Sequence, residues 1–189
     1  GIDAKYITAV TFTNKAAREM QERIGSLLQP GSGKGLSVST FHTLGLNILR
    51  KEFKILGYKS GFSIFDQQDC QALIRDLLIQ QHGSDGDQVD HIQRRISEWK
   101  NDLIQPEQAV ELAEGPADML CAQAYLRYQQ ALKAYNSLDF DDLILLPVFL
   151  FTQFPEVLEK WQQRIRYMLV DEYQDTNGAQ YELVKKLVG

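Results

Sequence analysis

Two adjacent carboxylates, Asp171 and Glu172, follow a four-residue apolar run, YMLV at residues 167–170, and a third, Asp175, lies three positions on. An apolar run without alternation suits a strand buried on both faces, as in a parallel sheet covered by helices. Charges inside such a sheet would be costly, so the pair must sit past the strand's carboxyl end. That is the edge where open α/β sheets bind ligands. There the two acids can divide one task. Asp171 can hold a divalent cation, a hard ion that prefers oxygen ligands, while Glu172 orients or deprotonates an attacking water. Divided in this way, the pair would form the acidic, Walker B half of a site that hydrolyses a nucleoside triphosphate. The same residues also fit a plainer role, an acidic turn that caps the next helix.

Two further stretches place chemistry between a strand end and a helix start. In VTFTNKAAREM (residues 10–20), Thr11, Thr13, Asn14 and Lys15 combine small polar side chains, unpaired backbone N–H groups and a cation, a set that can bind phosphate. An ordinary capped helix with a solvent-facing lysine would read the same way. In STFHTLG (residues 39–45), Phe41 and His42 offer flat faces for a base, and Thr40 and Thr43 offer hydroxyls for phosphates. The alternative is that Phe41 is core. LDFDDL (residues 138–143) gathers Asp139, Asp141 and Asp142 in one turn, with no histidine near them in sequence. An acidic first turn stabilising the apolar helix that follows is favoured there over a metal site. GSGKG (residues 31–35) is a false likeness to a phosphate-binding loop. The loop needs G-x-x-x-x-G-K-[S/T], but Gly35 replaces the hydroxyl residue and Leu28 the first glycine, so it reads as a turn. No complete loop of that kind occurs in the sequence.

The elements that must position these residues follow from pattern. Residues 7–12 (ITAVTF) are β-prone. Thr13 is a good N-cap for a helix over residues 14–28, with Ala16, Met20, Ile24, Leu27 and Leu28 on its apolar face. Residues 36–40 read as a second strand, which could pair with the strand at residues 167–170. A helix follows, with Phe41, Leu44, Ile48, Leu49, Phe53 and Leu56 on helical spacing. Residues 57–136 then change character to helices and connections. Asp66 is an N-cap, and residues 89–101 form a helix. Pro106 and Pro116 open two more. The apolar run at residues 139–151 contains Pro147, expected to bend or interrupt it. Helices at residues 156–164 and 176–188 flank the acidic strand, and Tyr181, Leu183, Val184, Leu187 and Val188 are available to pack on the sheet.

Composition sets the remaining bounds. With 189 residues, 44% hydrophobic and 24% charged, the chain can bury a real core in one domain or two small ones. It has neither a bilayer-length apolar run nor a signal-peptide pattern. Cys70 and Cys121 stand singly, without metal-ligand spacing, which points to buried thiols and a cytoplasmic location. Net charge is −5, which argues against indiscriminate coating of nucleic acid. Residues 1–60 nonetheless hold nine lysines and arginines against four carboxylates, whereas residues 61–142 hold six against fifteen. A local phosphate-binding surface on an acidic body fits this, as do solvated helix faces.

The full string DEYQDTN (residues 171–177) resembles motif II of the superfamily 1 DNA helicases of the UvrD/PcrA/Rep group, where the box is DExQ. TFTNKAA resembles motif Ia, and STFHTLG resembles the next DNA-contacting motif, in the family's order. LDFDDL is similar to the element that returns the chain from the helical insertion in the Rep-like members. The likeness runs from residue 7 to residue 189 and includes ISEWKNDL (residues 96–103) and YELVKKLVG (residues 181–189). It implies an α/β fold, a partial RecA-like P-loop NTPase parallel sheet with an all-helical insertion subdomain. Residues 1–44 and 143–189 would belong to the motor domain, and residues 45–142 to the 1B-like insertion.

The resemblance further implies an ATP-dependent DNA helicase that moves 3′ to 5′ on single-stranded DNA and opens forked duplex DNA in replication or repair, with Mg²⁺ as its metal. Asp171 would coordinate Mg²⁺, Glu172 would be the general base, and Gln174 would sense the γ-phosphate. Thr11, Thr13, Asn14, Lys15, Thr40, Phe41, His42 and Thr43 would line the DNA track, with the LDFDDL carboxylates structural first and DNA contacts second. In the family the Walker A loop lies upstream of motif Ia, so Gly1 is expected to fall inside the first motor domain and the chain alone to be catalytically incomplete. Two other classes fit parts of the sequence: a helical module that binds a replication protein, and the motor segment of a RecB/AddA-type nuclease–helicase.

Overall fold

The structure, a computed structural model, describes residues 2–31, 33–79, 86–171 and 177–189. In chain order its principal elements are β1 (Ile7–Thr11), α1 (Asn14–Leu27), β2 (Ser37–Thr40), α2 (Phe41–Glu52), β3 (Ser63–Phe65), α3 (Gln67–Ile79) and α4 (Gly86–Asn101). There follow α5 (Pro106–Leu112), α6 (Gly115–Ala134), β4 (Ser137–Asp139), α7 (Asp142–Gln153), α8 (Pro155–Arg164), β5 (Tyr167–Val170) and α9 (Gly178–Val188). They form two compact units, Gly1–Lys51 with Leu146–Gly189, and Glu52–Leu145. Among the described residues no helix is long and apolar enough to cross a membrane.

The first unit is built on a three-stranded, wholly parallel sheet in the order β2-β1-β5. The expected pairing of β2 with β5 is therefore corrected: β1 lies between them. The reason is burial. A central strand is covered on both faces, and in β1 the consecutive, oppositely directed Ala9 and Val10 are both fully buried. The expectation that β5 is buried on both faces is also corrected. Tyr167 and Leu169 are 48% and 55% exposed and alternate with half-buried neighbours, the period-two signature of an edge strand with one covered face.

Helices pack on this sheet with locally encoded ends. The Thr13 hydroxyl accepts from Ala16 N and caps α1. The apolar face of α1 is shorter than expected, since Ala16, Met20 and Ile24 are half-buried but Leu27 and Leu28 are exposed. Phe41, Leu44, Ile48 and Leu49 of α2 are core. Asn177 and Gln180 form a capping box at the start of α9, where Leu183, Val184 and Leu187 are buried and Tyr181 and Val188 are exposed. Pro147 does not interrupt α7. A helix-interior proline costs about 3 kcal/mol, and the burial of Leu143, Ile144, Leu145, Val148, Leu150 and Phe151 outweighs it.

In the second unit α3, α4 and α6 enclose a core containing Ile74, Leu78, Ile92, Ile96, Trp99, Tyr125 and Leu132. The Trp99 and Tyr125 rings stack at 5.7 Å, 8° from parallel. The middle of the chain is not all-helical, because β3 and β4 pair in parallel. Three-residue strands are too short for a period to show in sequence. Asn136 sets up this pairing. Its φ of 53° is the left-handed conformation that asparagine tolerates. Its side-chain oxygen accepts from Lys59 N at 2.8 Å, and its carbonyl accepts from Ser63 N at 3.1 Å.

A charged cluster lies inside this unit. Lys100 is fully buried, and its Nζ donates to Asp139 Oδ2 at 2.7 Å and to Asp142 Oδ1 at 2.9 Å. Tyr128 OH also donates to Asp139 Oδ2, at 2.7 Å. Asp142 N donates to Asp139 Oδ1, and Asp139 N to Asp142 Oδ2. A buried ion costs several kcal/mol unless partners satisfy it, and here two carboxylates face one cation. Burial would lower the lysine's pKa, but Asp139 and Asp142 carry it upward. Burial works against Asp139 ionising too, yet Lys100 and Tyr128 hold it below the ordinary carboxylate range. Burial, and then the charge of Asp139, push Asp142 up to about 7.

Lys100→Met leaves two carboxylates buried without their cation. It should lower the unfolding free energy in urea by about 3–5 kcal/mol, and a change below measurement error would rule out this role. Because the folded pKa of Asp142 is raised, its contribution to stability is fully present below the ordinary 3.8 and lost as pH rises through about 7. Asp142→Asn should accordingly remove that decline, and unfolding curves collected between these pH values would show wild type and variant differing in slope.

Candidate nucleotide and nucleic-acid edge

A parallel sheet ends all its strands on one edge, and this one brings together the described residues at which the three sequence-predicted motifs leave it. β1 leaves the sheet at Thr11, opposite Thr40 of β2, while Val10 lies opposite Val170 of β5. Asp171 N donates to Val10 O at 3.1 Å, so the backbone of Asp171 extends the pairing and sets this residue beside Thr11. α1 and α2 both begin at the same edge. Each helix N-terminus carries the equivalent of about half a positive charge.

The side chains divide into braces and exposed groups. Thr11 is fully buried, and its hydroxyl donates to Thr13 O at 3.1 Å, which holds the turn into α1. Thr40, also buried, places Oγ1 as acceptor from Thr43 N at 3.1 Å and 3.0 Å from Thr43 Oγ1, tightening the first turn of α2. Phe41 is only 1% exposed, its ring tilted against Phe12 at 5.4 Å. It supports the two loops from within. Thr13, Asn14, Lys15 and Thr43 are exposed. His42 is half-buried, and burial lowers its pKa, so at neutral pH the ring is an uncharged donor and acceptor. Asp171 is exposed, an oxygen donor of the kind Mg²⁺ takes.

Glu172 and Gln174, the predicted general base and phosphate sensor, lie outside the described residues. The LDFDDL carboxylates belong to the second unit. Asp139 and Asp142 are engaged by Lys100, and Asp141 accepts from Ser97 Oγ at 2.7 Å, its pKa raised by burial and by Asp139. Among the described residues no group of three or more histidines, cysteines or acids could hold a metal. In GSGKG, Gly31 and Gly35 have φ of 86° and 92°. A Cβ at Gly35 would stand 3.0 Å from Lys5 Cβ, so the turn at residues 33–35 is fitted closely against the chain. Sequence reasoning missed Lys100. The signal was present, since Lys100 stands four residues after Ile96 on the apolar stripe of α4 that includes Val89 and Ile92.

Along residues 1–189 the chain matches the UvrD/REP helicase N-terminal domain. It is 53% identical to the ATP-dependent DNA helicase Rep of Salmonella typhimurium, with all of this chain and 28% of that protein covered. It is 52% identical to Rep of Escherichia coli over the same shares. Against the ATP-dependent DNA helicase PcrA of Bacillus subtilis the identity is 45%, over 96% of this chain and 24% of that protein. The chain thus spans about a quarter of the length of these curated relatives. With a parallel sheet whose strands lead into the predicted motifs at one edge, and with a match along residues 1–189, the chain belongs to the UvrD/REP helicase N-terminal domain family.

Proposed function

We propose that this chain is the segment of an ATP-dependent, 3′-to-5′ DNA helicase that carries the acidic half of its nucleotide site and part of its single-stranded DNA track. The observation that supports it best is the strand register, which puts the α1 start, the α2 start and Asp171 at one edge. The first unit then corresponds to part of a RecA-like motor domain and the second to the insertion subdomain. Thr13, Asn14, Lys15, His42 and Thr43 follow the DNA backbone, with Thr11, Thr40 and Phe41 bracing the loops that carry them. Asp171 holds Mg²⁺, whose charge offsets that of the phosphates. Glu172 takes the proton of the attacking water and Gln174 senses the γ-phosphate. Forked duplex DNA is the substrate of the whole protein, and replication proteins are its partners.

On this reading, the chain by itself binds a single-stranded oligonucleotide weakly and with strong salt dependence. Lys15→Ala should reduce the magnitude of the slope of log K against log salt by about one, the mark of one lost phosphate contact. Fluorescence anisotropy at several salt concentrations reads this, and an unchanged slope would remove Lys15 from the track. Since the sequence contains no phosphate-binding loop, the chain alone should show no ATP turnover above buffer. Turnover that disappeared in Glu172→Gln would contradict this.

A further inference from the structure

Charge also converges at the opposite, amino edge of the first unit's sheet. A pocket of about 320 Å³ there is lined by Lys5, Ser37, Asn47, Arg50, Lys51 and Arg164, among others. Ser37 opens β2 and is paired with Thr8, near the start of β1. Arg50 and Lys51 occupy the last turn of α2, and Arg164 the last turn of α8. Trp161 also lines the pocket, with only 4% of its surface exposed. The Lys51 ammonium and the Arg164 guanidinium lie 5.7 Å and 5.0 Å from its ring centroid. Such contacts restrict two long, otherwise mobile cations.

Helix ends account for part of this arrangement. The C-termini of α2 and α8 each present about half a negative charge, which cations in the last turn offset. Four cations exceed that, Lys5 belongs to neither helix, and among the described residues no carboxylate lines the pocket. The pairing of Lys5 with Asp3, at 3.8 Å between two exposed groups, is too solvated to neutralise it. The excess is therefore available to an anion. Arginine forks bind phosphate bidentately, and the Ser37 hydroxyl and Asn47 amide add neutral donors. With Trp161 already buried, a base has no ring face on which to stack, so recognition falls on charge rather than on a nucleobase.

We propose that this pocket binds a polyphosphate group, either free or as the backbone of a nucleic acid. The inference is independent of the carboxyl-edge loops. Calorimetric titration of the 189-residue chain with inorganic triphosphate should show one site per chain. Arg50→Gln/Arg164→Gln should weaken it at least tenfold, and Arg23→Gln, an exposed cation on α1, should leave it unchanged. The single variants, each expected to lose about threefold, keep the test readable should the double variant not fold. A parallel titration with a single-stranded oligonucleotide separates the sources. Equal loss in the double variant identifies backbone phosphates, and an unchanged oligonucleotide affinity identifies a free polyphosphate. Absence of triphosphate binding, or the same affinity in wild type and double variant, would overturn the proposal.

Discussion

The first unit depends on one constraint, the in-register parallel pairing of β1 with both of its neighbours. Parallel pairing fixes direction, so three chain segments far apart in sequence must all leave the sheet at one edge. Register fixes depth: with Thr11 opposite Thr40 and Val10 opposite Val170, the exits are level. A one-residue slip would turn Ala9 and Val10 to the other faces and move the exits apart. The hydrogen bond from Asp171 N to Val10 O makes the acidic residue part of this same frame. The geometry of the edge is therefore inherited from backbone pairing before any side chain contributes.

The two edges of that sheet are electrostatically different for a simple reason. Helices that follow parallel strands start at the carboxyl edge and finish at the amino edge, so backbone dipoles favour anions at the first. At the second edge the last turns of α2 and α8 must be offset by cations, and this chain supplies more of them than the dipoles require. The second unit solves a different electrostatic problem. It buries a lysine among two aspartates and a tyrosine, joining α4, α6 and the β4–α7 turn through one shared set of hydrogen bonds. Removing any one partner of such a cluster would leave a buried charge uncompensated.

Much of the fold was legible in the sequence, and the misses have physical causes. Thr13, Asp66, Pro106 and Pro116 announce helix starts because caps and first-turn prolines act through local chemistry. β3 and β4 escaped notice because three residues carry no period. The order of the main sheet escaped because adjacency is decided by which strand is covered on both faces, a tertiary property. At the candidate site, residue types single out segments to examine, but not which members brace and which face solvent. Thr11, Thr40 and Phe41 turned inward, while Thr13, Asn14 and Lys15 did not. The partner of Asp139 and Asp142, Lys100, lies some forty residues earlier in the chain, and no spacing in the sequence pairs it with them.

The central claim is that the carboxyl edge of the β2-β1-β5 sheet is a working surface for single-stranded DNA. Amide chemical-shift mapping of the isotope-labelled chain with a short oligothymidylate tests it most directly. The largest shifts should fall together on Thr13, Asn14, Lys15, Thr43 and Asp171, the last more than a hundred residues from the others in sequence but level with them in the sheet. Shifts concentrated in Glu52–Leu145, with that edge undisturbed at saturating oligonucleotide, would contradict it.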